Sequence, residues 1–172
     1  GDRLMAIVLM GAPGAGKTSV GKRLARKLGK TFVDVDKRIE EVMGKPVAEI
    51  FADEGEEYFR ALEEEATVEL LGAFDVVALG GGAVMTPGIQ EALRSGGHEV
   101  IWLKVSIGQA TRRVGMNKVR PLLLGNVRGR LIELLRERNP VYAALATQVV
   151  ETDGRGSSEV ADQLAAERGA QP

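Results

Sequence analysis

Cysteine is absent from the 172 residues, and histidine occurs once, at His98. The first absence excludes disulfides and thiolate metal sites and is compatible with a cytoplasmic location. The second leaves His98 without a histidine or carboxylate partner at catalytic spacing, so it reads as a loop residue. Neither sign of charge prevails: 23 Lys and Arg face 24 Asp and Glu, a formal net charge of -1. No general nucleic-acid or membrane partner is therefore expected. No stretch approaches the length of a transmembrane helix, and the apolar run at residues 5–10 is too short for a secretory signal and better used as a buried strand. Aromatic residues make up 4% of the chain; Trp102, the one tryptophan, sits in an aliphatic stretch and reads as core. Repeats, linkers and low-complexity segments are also missing, which leaves a single domain over residues 1–172.

What is present begins at Met5-Ala-Ile-Val-Leu-Met10, followed by Gly11-Ala-Pro-Gly14-Ala15-Gly16-Lys17-Thr18-Ser19. Gly11, Gly16, Lys17 and Thr18 satisfy the pattern G-x-x-x-x-G-K-[ST] of a phosphate-binding loop, in its required setting of strand, turn and helix. Glycines let the backbone N–H groups of such a loop wrap a phosphate, and the following helix points its positive end at the same anion. Lys17 would reach the β- and γ-phosphates of ATP, and the Thr18 hydroxyl would ligate Mg²⁺.

Further along, apolar strands alternate with helices. Strands are expected near 5–10, 31–36, 75–79, 99–105 and 147–151. Helices are expected near 17–28, 37–43, 47–52, 55–71, 87–94 and 106–114, the last capped by Ser106. A helix over 127–146 should be kinked or divided by Pro140, and Ser157 should cap a terminal helix over 158–167, with a frayed tail near 168–172. Residues 115–128 lack a period and suggest a mobile loop or lid. Five strands interleaved with helices predict a three-layer α/β fold with a parallel sheet, whose ligands bind beyond the carboxyl ends of the strands. The phosphate loop, Asp34 and Asp36, and Gly80–Gly82 all fall at such ends and should meet in one cleft.

Asp34 and Asp36 would share one side of a regular strand, Asp34 toward Mg²⁺ and Asp36 toward an acceptor hydroxyl; the alternative is a pair of capping aspartates. Arg60 and Glu63 are spaced for an ion pair on one helix, which holds a guanidinium in place or merely decorates a surface. Gly80, Gly81 and Gly82 can offer backbone N–H groups or form a sharp turn only. The basic stretch from Arg112 to Arg120 suits a lid that closes over phosphates, or else a solvated loop. Arg138 could fork a carboxylate or lie on a helix surface.

In order along the chain, Gly11–Ser19, Phe32-Val-Asp34-Val-Asp36, Gly55-Glu-Glu-Tyr-Phe59-Arg60-Ala-Leu-Glu63, Gly80–Gly82, Arg120-Pro-Leu-Leu123 and Arg138-Asn-Pro-Val-Tyr142 resemble the shikimate kinases. The resemblance implies a P-loop NTPase fold of the nucleoside-monophosphate-kinase type, a five-stranded parallel sheet flanked by helices, and a moving lid near 113–126. It implies transfer of the ATP γ-phosphoryl to the 3-hydroxyl of shikimate, in aromatic amino-acid biosynthesis. Asp36 would bind the acceptor hydroxyls and serve as base, Arg60 and Arg138 would grip its carboxylate, and Glu63 would orient Arg60. Gly81 and Gly82 would supply acceptor contacts, with an N–H donated by Gly82. Gly14, Ala15, Gly16, Lys17, Thr18, Ser19, Arg113, Arg120 and Arg155 would hold ATP, Arg120 from the lid and Arg155 on the adenine side. Thr18 and Asp34 would hold Mg²⁺, and a cytoplasmic monomer is expected. Thr18-Ser19 inverts the family's common Ser-Thr, Ala144 replaces a frequent Glu, and Gly154-Arg155-Gly156 lacks the frequent Asn-Pro. The competing readings are another small-molecule kinase of this fold, such as a gluconate kinase, a nucleoside-monophosphate kinase, and a silent ATP-binding scaffold.

Overall fold

The structure is a computed structural model that describes residues 5–117 and 124–171, with side chains described for 5–112 and 128–171. Five short strands form one parallel sheet: β1 (Ile7–Met10), β2 (Phe32–Asp34), β3 (Val76–Ala78), β4 (Glu99–Lys104) and β5 (Gln148–Glu151), in the order β2-β3-β1-β4-β5. β1 pairs with β3 on one side, Val8 opposite Val77, and with β4 on the other, Val8 opposite Val100.

Alternation along the strands explains why they are apolar throughout. Val8, Met10, Val77, Val100 and Trp102 enter the core on one face, while Ile7, Leu9, Val76, Ile101 and Leu103 enter the core on the other. A sheet covered on both faces has no polar side to display. The first core is closed by α2 (Val35–Met43), α3 (Val47–Glu54), α4 (Glu56–Leu71), α5 (Pro87–Ser95) and the end of α7 (Leu124–Leu145). The second is closed by α1 (Lys17–Leu28), α6 (Ile107–Asn117), α8 (Ser157–Glu167) and the middle of α7. α1 and α8 are further joined where Asp162 accepts ion pairs from Arg23 at 2.8 Å and Lys27 at 3.3 Å.

Several expected boundaries move, each for a local reason. β2 stops at Asp34 because that side chain caps α2, accepting from the Lys37 N–H at 3.1 Å, so Asp36 lies in the first helical turn rather than on a strand. Residues 115–117 close α6 and 124–128 open α7. Packing around Ala110, Leu131 and Leu135 overrides the poor propensity of the local glycines. Pro140 lies inside α7 without dividing it, its neighbours Tyr142 and Leu145 being buried. α8 is capped by Gly156 with no side-chain bond, and Ser157 is its first residue. Ser106 does cap α6, accepting from the Gln109 N–H at 3.2 Å. At the other end, Arg168, placed in the tail by the sequence, donates to the Leu164 carbonyl at 2.9 Å and to Glu99 at 2.8 Å. The rest of the expected lid, residues 118–123, lies outside the described residues.

Candidate active site

β1 delivers its chain into the phosphate loop at the middle of the sheet, between the ends of β3 and β4. A β-carbon on Gly11 would come within 2.6 Å of the Leu103 carbonyl oxygen, so β4 leaves room only for glycine there. Gly14 and Gly16 take positive φ values of 81° and 91°, turning the loop so that α1 starts at Lys17. Ser157 lies beside this loop, its Oγ 3.4 Å from where a Gly16 β-carbon would stand.

Lys17 folds back over the loop, and its Nζ donates to the Gly11 carbonyl at 2.6 Å. Desolvation there pulls its pKa down from the usual ammonium value to about 8, although Asp36 and Asp34 act to raise it. An ammonium held this way has lost its water, and the phosphates of a nucleotide would favour its charged form. Thr18 Oγ1 donates to Asp34 Oδ2 at 2.6 Å. Of the capping pair expected as the alternative, Asp34 alone caps a helix: its Oδ1 accepts from the Lys37 N–H of α2, while its Oδ2 meets the loop hydroxyl.

Asp36 faces the end of β3 from the first turn of α2. Both of its oxygens, at 2.5 and 2.6 Å, and Glu63 Oε2, at 2.6 Å, crowd the position that a Gly80 β-carbon would take. Asp36 Oδ1 and Glu63 Oε2 are buried without a hydrogen-bond partner among the described residues. Burial first, and then the facing Glu63 carboxyl, push the Asp36 pKa up to about 7. A protonated Asp36 can donate across this gap, whereas an ionised one needs a hydroxyl from outside.

Glu63 was not expected in the core. The fully buried set of α4 is Phe59, Glu63, Thr67, Leu70 and Leu71, with the apolar Leu62 and Ala66 only partly buried. Glu63 is tolerated because its Oε1 accepts from Arg60 Nη1 at 2.7 Å. That guanidinium is also steadied by the Phe51 and Phe59 rings, 5.7 and 5.5 Å from its carbon, and by Glu56 at 3.7 Å. Its Nη2 lies 2.6 Å from where a Gly82 β-carbon would stand, and Arg138 Nη2 lies 3.0 Å from the same point. Two guanidiniums thus converge on Gly82 while two carboxyls converge on Gly80.

The structure brings Lys17, Thr18, Asp34, Asp36, Arg60, Arg138 and the glycine turn together. It does not bring in the Arg155 guanidinium, which is engaged by Glu159, Gln163 and the Glu151 carbonyl. Arg113 lies on α6 with its side chain outside the described residues, and Arg120 is wholly outside them. Sequence reasoning gave no role to Tyr142, whose hydroxyl donates to the Gly81 carbonyl at 2.9 Å. The signal was its position four residues after Arg138, on the same helical face. Phe51 carried no comparable signal, since its partner Arg60 is on another helix.

Among the described residues, no helix is long and apolar enough to cross a membrane. A family model described as shikimate kinase matches residues 13–167. The chain is 49% identical over 161 residues to a shikimate kinase of Thermobifida fusca, covering 93% of this chain and 92% of that one. To a shikimate kinase of Salinispora arenicola it is 51% identical over 160 residues, 92% of this chain and 95% of that one. A solved structure of shikimate kinase from Acinetobacter baumannii, in complex with shikimate, superposes with a TM-score of 0.84 at 33% identity, covering 97% of this chain and 96% of that one. At about half identity over nine-tenths of its length the match is to the entire domain rather than to a shared nucleotide loop, and the chain belongs to the shikimate kinase family.

Proposed function

We propose that the chain transfers the γ-phosphoryl group of ATP to the 3-hydroxyl of shikimate, giving shikimate 3-phosphate and ADP. One observation carries the reading of the acceptor: an acidic pair and a guanidinium pair meet across the Gly80–Gly82 turn, directly beside a phosphate loop. Guanidinium forks suit a carboxylate and acidic oxygens suit hydroxyls. Shikimate has both, and it is the ligand of the Acinetobacter baumannii structure.

Gly14, Ala15, Gly16 and Ser19 frame the nucleotide phosphates with backbone N–H groups, and Lys17 turns from the Gly11 carbonyl to the β- and γ-oxygens. Arg113, Arg120 and Arg155 belong to the same proposal as nucleotide contacts, Arg155 only after it exchanges partners. Arg60 and Arg138 hold the acceptor carboxylate, Glu63 orients Arg60, and the Gly81–Gly82 backbone completes the acceptor contacts. Asp36 accepts the proton of the 3-hydroxyl as that oxygen bonds to the γ-phosphorus, while the bond from the γ-phosphorus to the β,γ-bridging oxygen breaks and ADP leaves. Asp36 must be ionised to do so.

The Thr18 hydroxyl and Asp34 carboxylate, 2.6 Å apart, are hard oxygen donors suited to Mg²⁺. Among the described residues no group of three or more acidic, histidine or cysteine side chains could cage a metal, which agrees with an ion held chiefly by phosphates and one or two protein oxygens. Bound there, Mg²⁺ supplies neutralisation of charge on the transferring group. Cytoplasmic residence and a monomeric state are part of the same proposal, the second open to light scattering.

The test is ADP formation with shikimate, gluconate, AMP and CMP offered separately, with the product identified by mass. Shikimate-dependent turnover supports the reading. Preference for gluconate or a nucleotide, or tight ATP binding with no transfer to any acceptor, overturns it.

A further inference from the structure

Ala83 N–H donates to the Gly80 carbonyl at 3.2 Å, closing a four-residue turn with Gly81 and Gly82 at its centre. Gly82 has φ -100° and ψ 1°, the values of a type I turn at that position. Glycine there ordinarily favours type II, in which the same residue has φ near +80°. The two forms differ by rotation of the central peptide, and glycine on both sides makes that rotation easy. Because the peptide is planar and trans, its rotation reverses the Gly81 carbonyl and the Gly82 N–H together.

Tyr142 opposes the rotation. Its hydroxyl donates to the Gly81 carbonyl at 2.9 Å, its side chain is fully buried, and its ring lies 5.5 Å from Trp102. A rotated peptide would leave the phenol without its acceptor in the interior, a cost the folded state avoids. Arg138, one helical turn earlier on α7, has Nη1 3.2 Å from where a Gly81 β-carbon would stand, so one helix face touches this turn twice.

We infer that Tyr142 is a positioning residue for acceptor binding: by holding the Gly81 carbonyl it locks the Gly80–Ala83 turn in the type I form and so fixes the direction of the Gly82 N–H. The inference rests on the reading of this turn as the acceptor site. Tyr142→Phe keeps the ring and removes the hydroxyl, and with it both the bond to the Gly81 carbonyl and the contact with Arg138, so the Gly82 amide has to be read directly as well as the KM. Varying shikimate and ATP separately, the variant should raise the shikimate KM about three- to tenfold, the range one lost hydrogen bond allows, and leave the ATP KM unchanged. A lower melting temperature with an unchanged shikimate KM, or equal rises in both KM values, overturns it.

A second measurement needs no acceptor. Labelling glycine with ¹³C at its carbonyl and ¹⁵N at its amide selects amides that follow another glycine, which here are Gly81, Gly82 and Gly97. In Tyr142→Phe the Gly82 amide should shift or broaden while Gly97 stays in place; an unmoved Gly82 amide overturns the inference. If the wild-type enzyme ignores shikimate while the Gly82 amide still moves, the lock stands and the acceptor assignment falls.

Discussion

Arg60 offers the sharpest perturbation, because its loss should be felt in stability and in acceptor binding by different amounts. Its Nη1 lies 2.7 Å from Glu63 Oε1, and the Glu63 side chain is 1% exposed against 26% for Arg60. Removing one partner of a fully buried pair costs roughly 3–5 kcal/mol, because the other charge stays behind unpaired. Water reaches a quarter of Arg60, so for Arg60→Ala we expect a cost at or just below the bottom of that range, about 2–3 kcal/mol. Glu63→Gln should cost less, about 1 kcal/mol, since the remaining guanidinium is partly solvated. The double variant Arg60→Ala/Glu63→Gln leaves no buried charge at this position and should be more stable than Arg60→Ala alone. Urea unfolding of the four proteins closes the cycle. In initial-rate assays Arg60→Ala also loses a charge-assisted bond to the acceptor carboxylate, worth about 1.5–3 kcal/mol, or roughly ten- to hundredfold in the shikimate KM. Stability unchanged in Arg60→Ala, or no recovery on adding Glu63→Gln, would refute the buried pair. A change confined to the ATP KM would refute the carboxylate grip.

Three other expectations use the same assays. Lys17→Ala should lower kcat by about two orders of magnitude, the scale for losing one donor to transition-state charge; and because burial lowers the free ammonium's pKa to about 8, wild-type ATP binding at pH 8 should take up roughly half a proton per site that the variant does not, read by calorimetry in two buffers. Asp36, with its pKa raised to about 7, should give the acid limb of kcat/KM near that pH, and Asp36→Asn should slow single-turnover transfer far more than it weakens ATP binding; a limb unchanged in the variant would remove it as base. His98 Nδ1 accepts the Ala6 N–H at 2.9 Å and its pKa is lowered by desolvation, so its contribution is complete above about pH 6.5 and is lost as pH falls below that value toward its lower folded pKa; His98→Ala should be less stable at pH 7.5, with the deficit shrinking toward pH 5.

What was legible in the sequence is what local chemistry determines. Strands buried on both faces must be apolar throughout, and β1, β3 and β4 declare themselves that way. The phosphate loop is legible because its residues are consecutive and each has its own reason. Val33-Asp34-Val35-Asp36 was misleading for the same kind of reason: alternation suits a strand, yet the Asp34 side chain can equally begin a helix, and capping decided it. The burial of Glu63 and the role of Tyr142 lay beyond local reading. The spacing pairs Glu63 with Arg60, but a carboxylate on a helix is read as exposed, and that it is buried against Asp36 and Gly80 depends on other elements. The Tyr142 role needs a carbonyl 61 positions away.

The three glycines mark the limit of that reading most clearly. A triplet of this kind suggests a bend that needs unusual backbone angles, but none of Gly80, Gly81 and Gly82 has a positive φ. Space is what they provide. Gly80 clears room for Asp36 and Glu63, and Gly82 for Arg60 and Arg138, so alanine at either place would keep the turn and displace a charged pair. Since the two positions are two residues apart, their Cα atoms are separated by at most about 7 Å. Acids over one and guanidiniums over the other therefore define a polarity across a gap the size of one small ring: hydroxyls at the Gly80 side, a carboxylate at the Gly82 side. Because the phosphate loop approaches the same turn through Pro13, 3.6 Å from where a Gly81 β-carbon would stand, an acceptor bound with that polarity turns its hydroxyl side toward Asp36 and Lys17, and reversal would set a carboxylate against two acids. On the proposed reading of the site, the order of charges along three residues would select both the acceptor and the end of it that is phosphorylated.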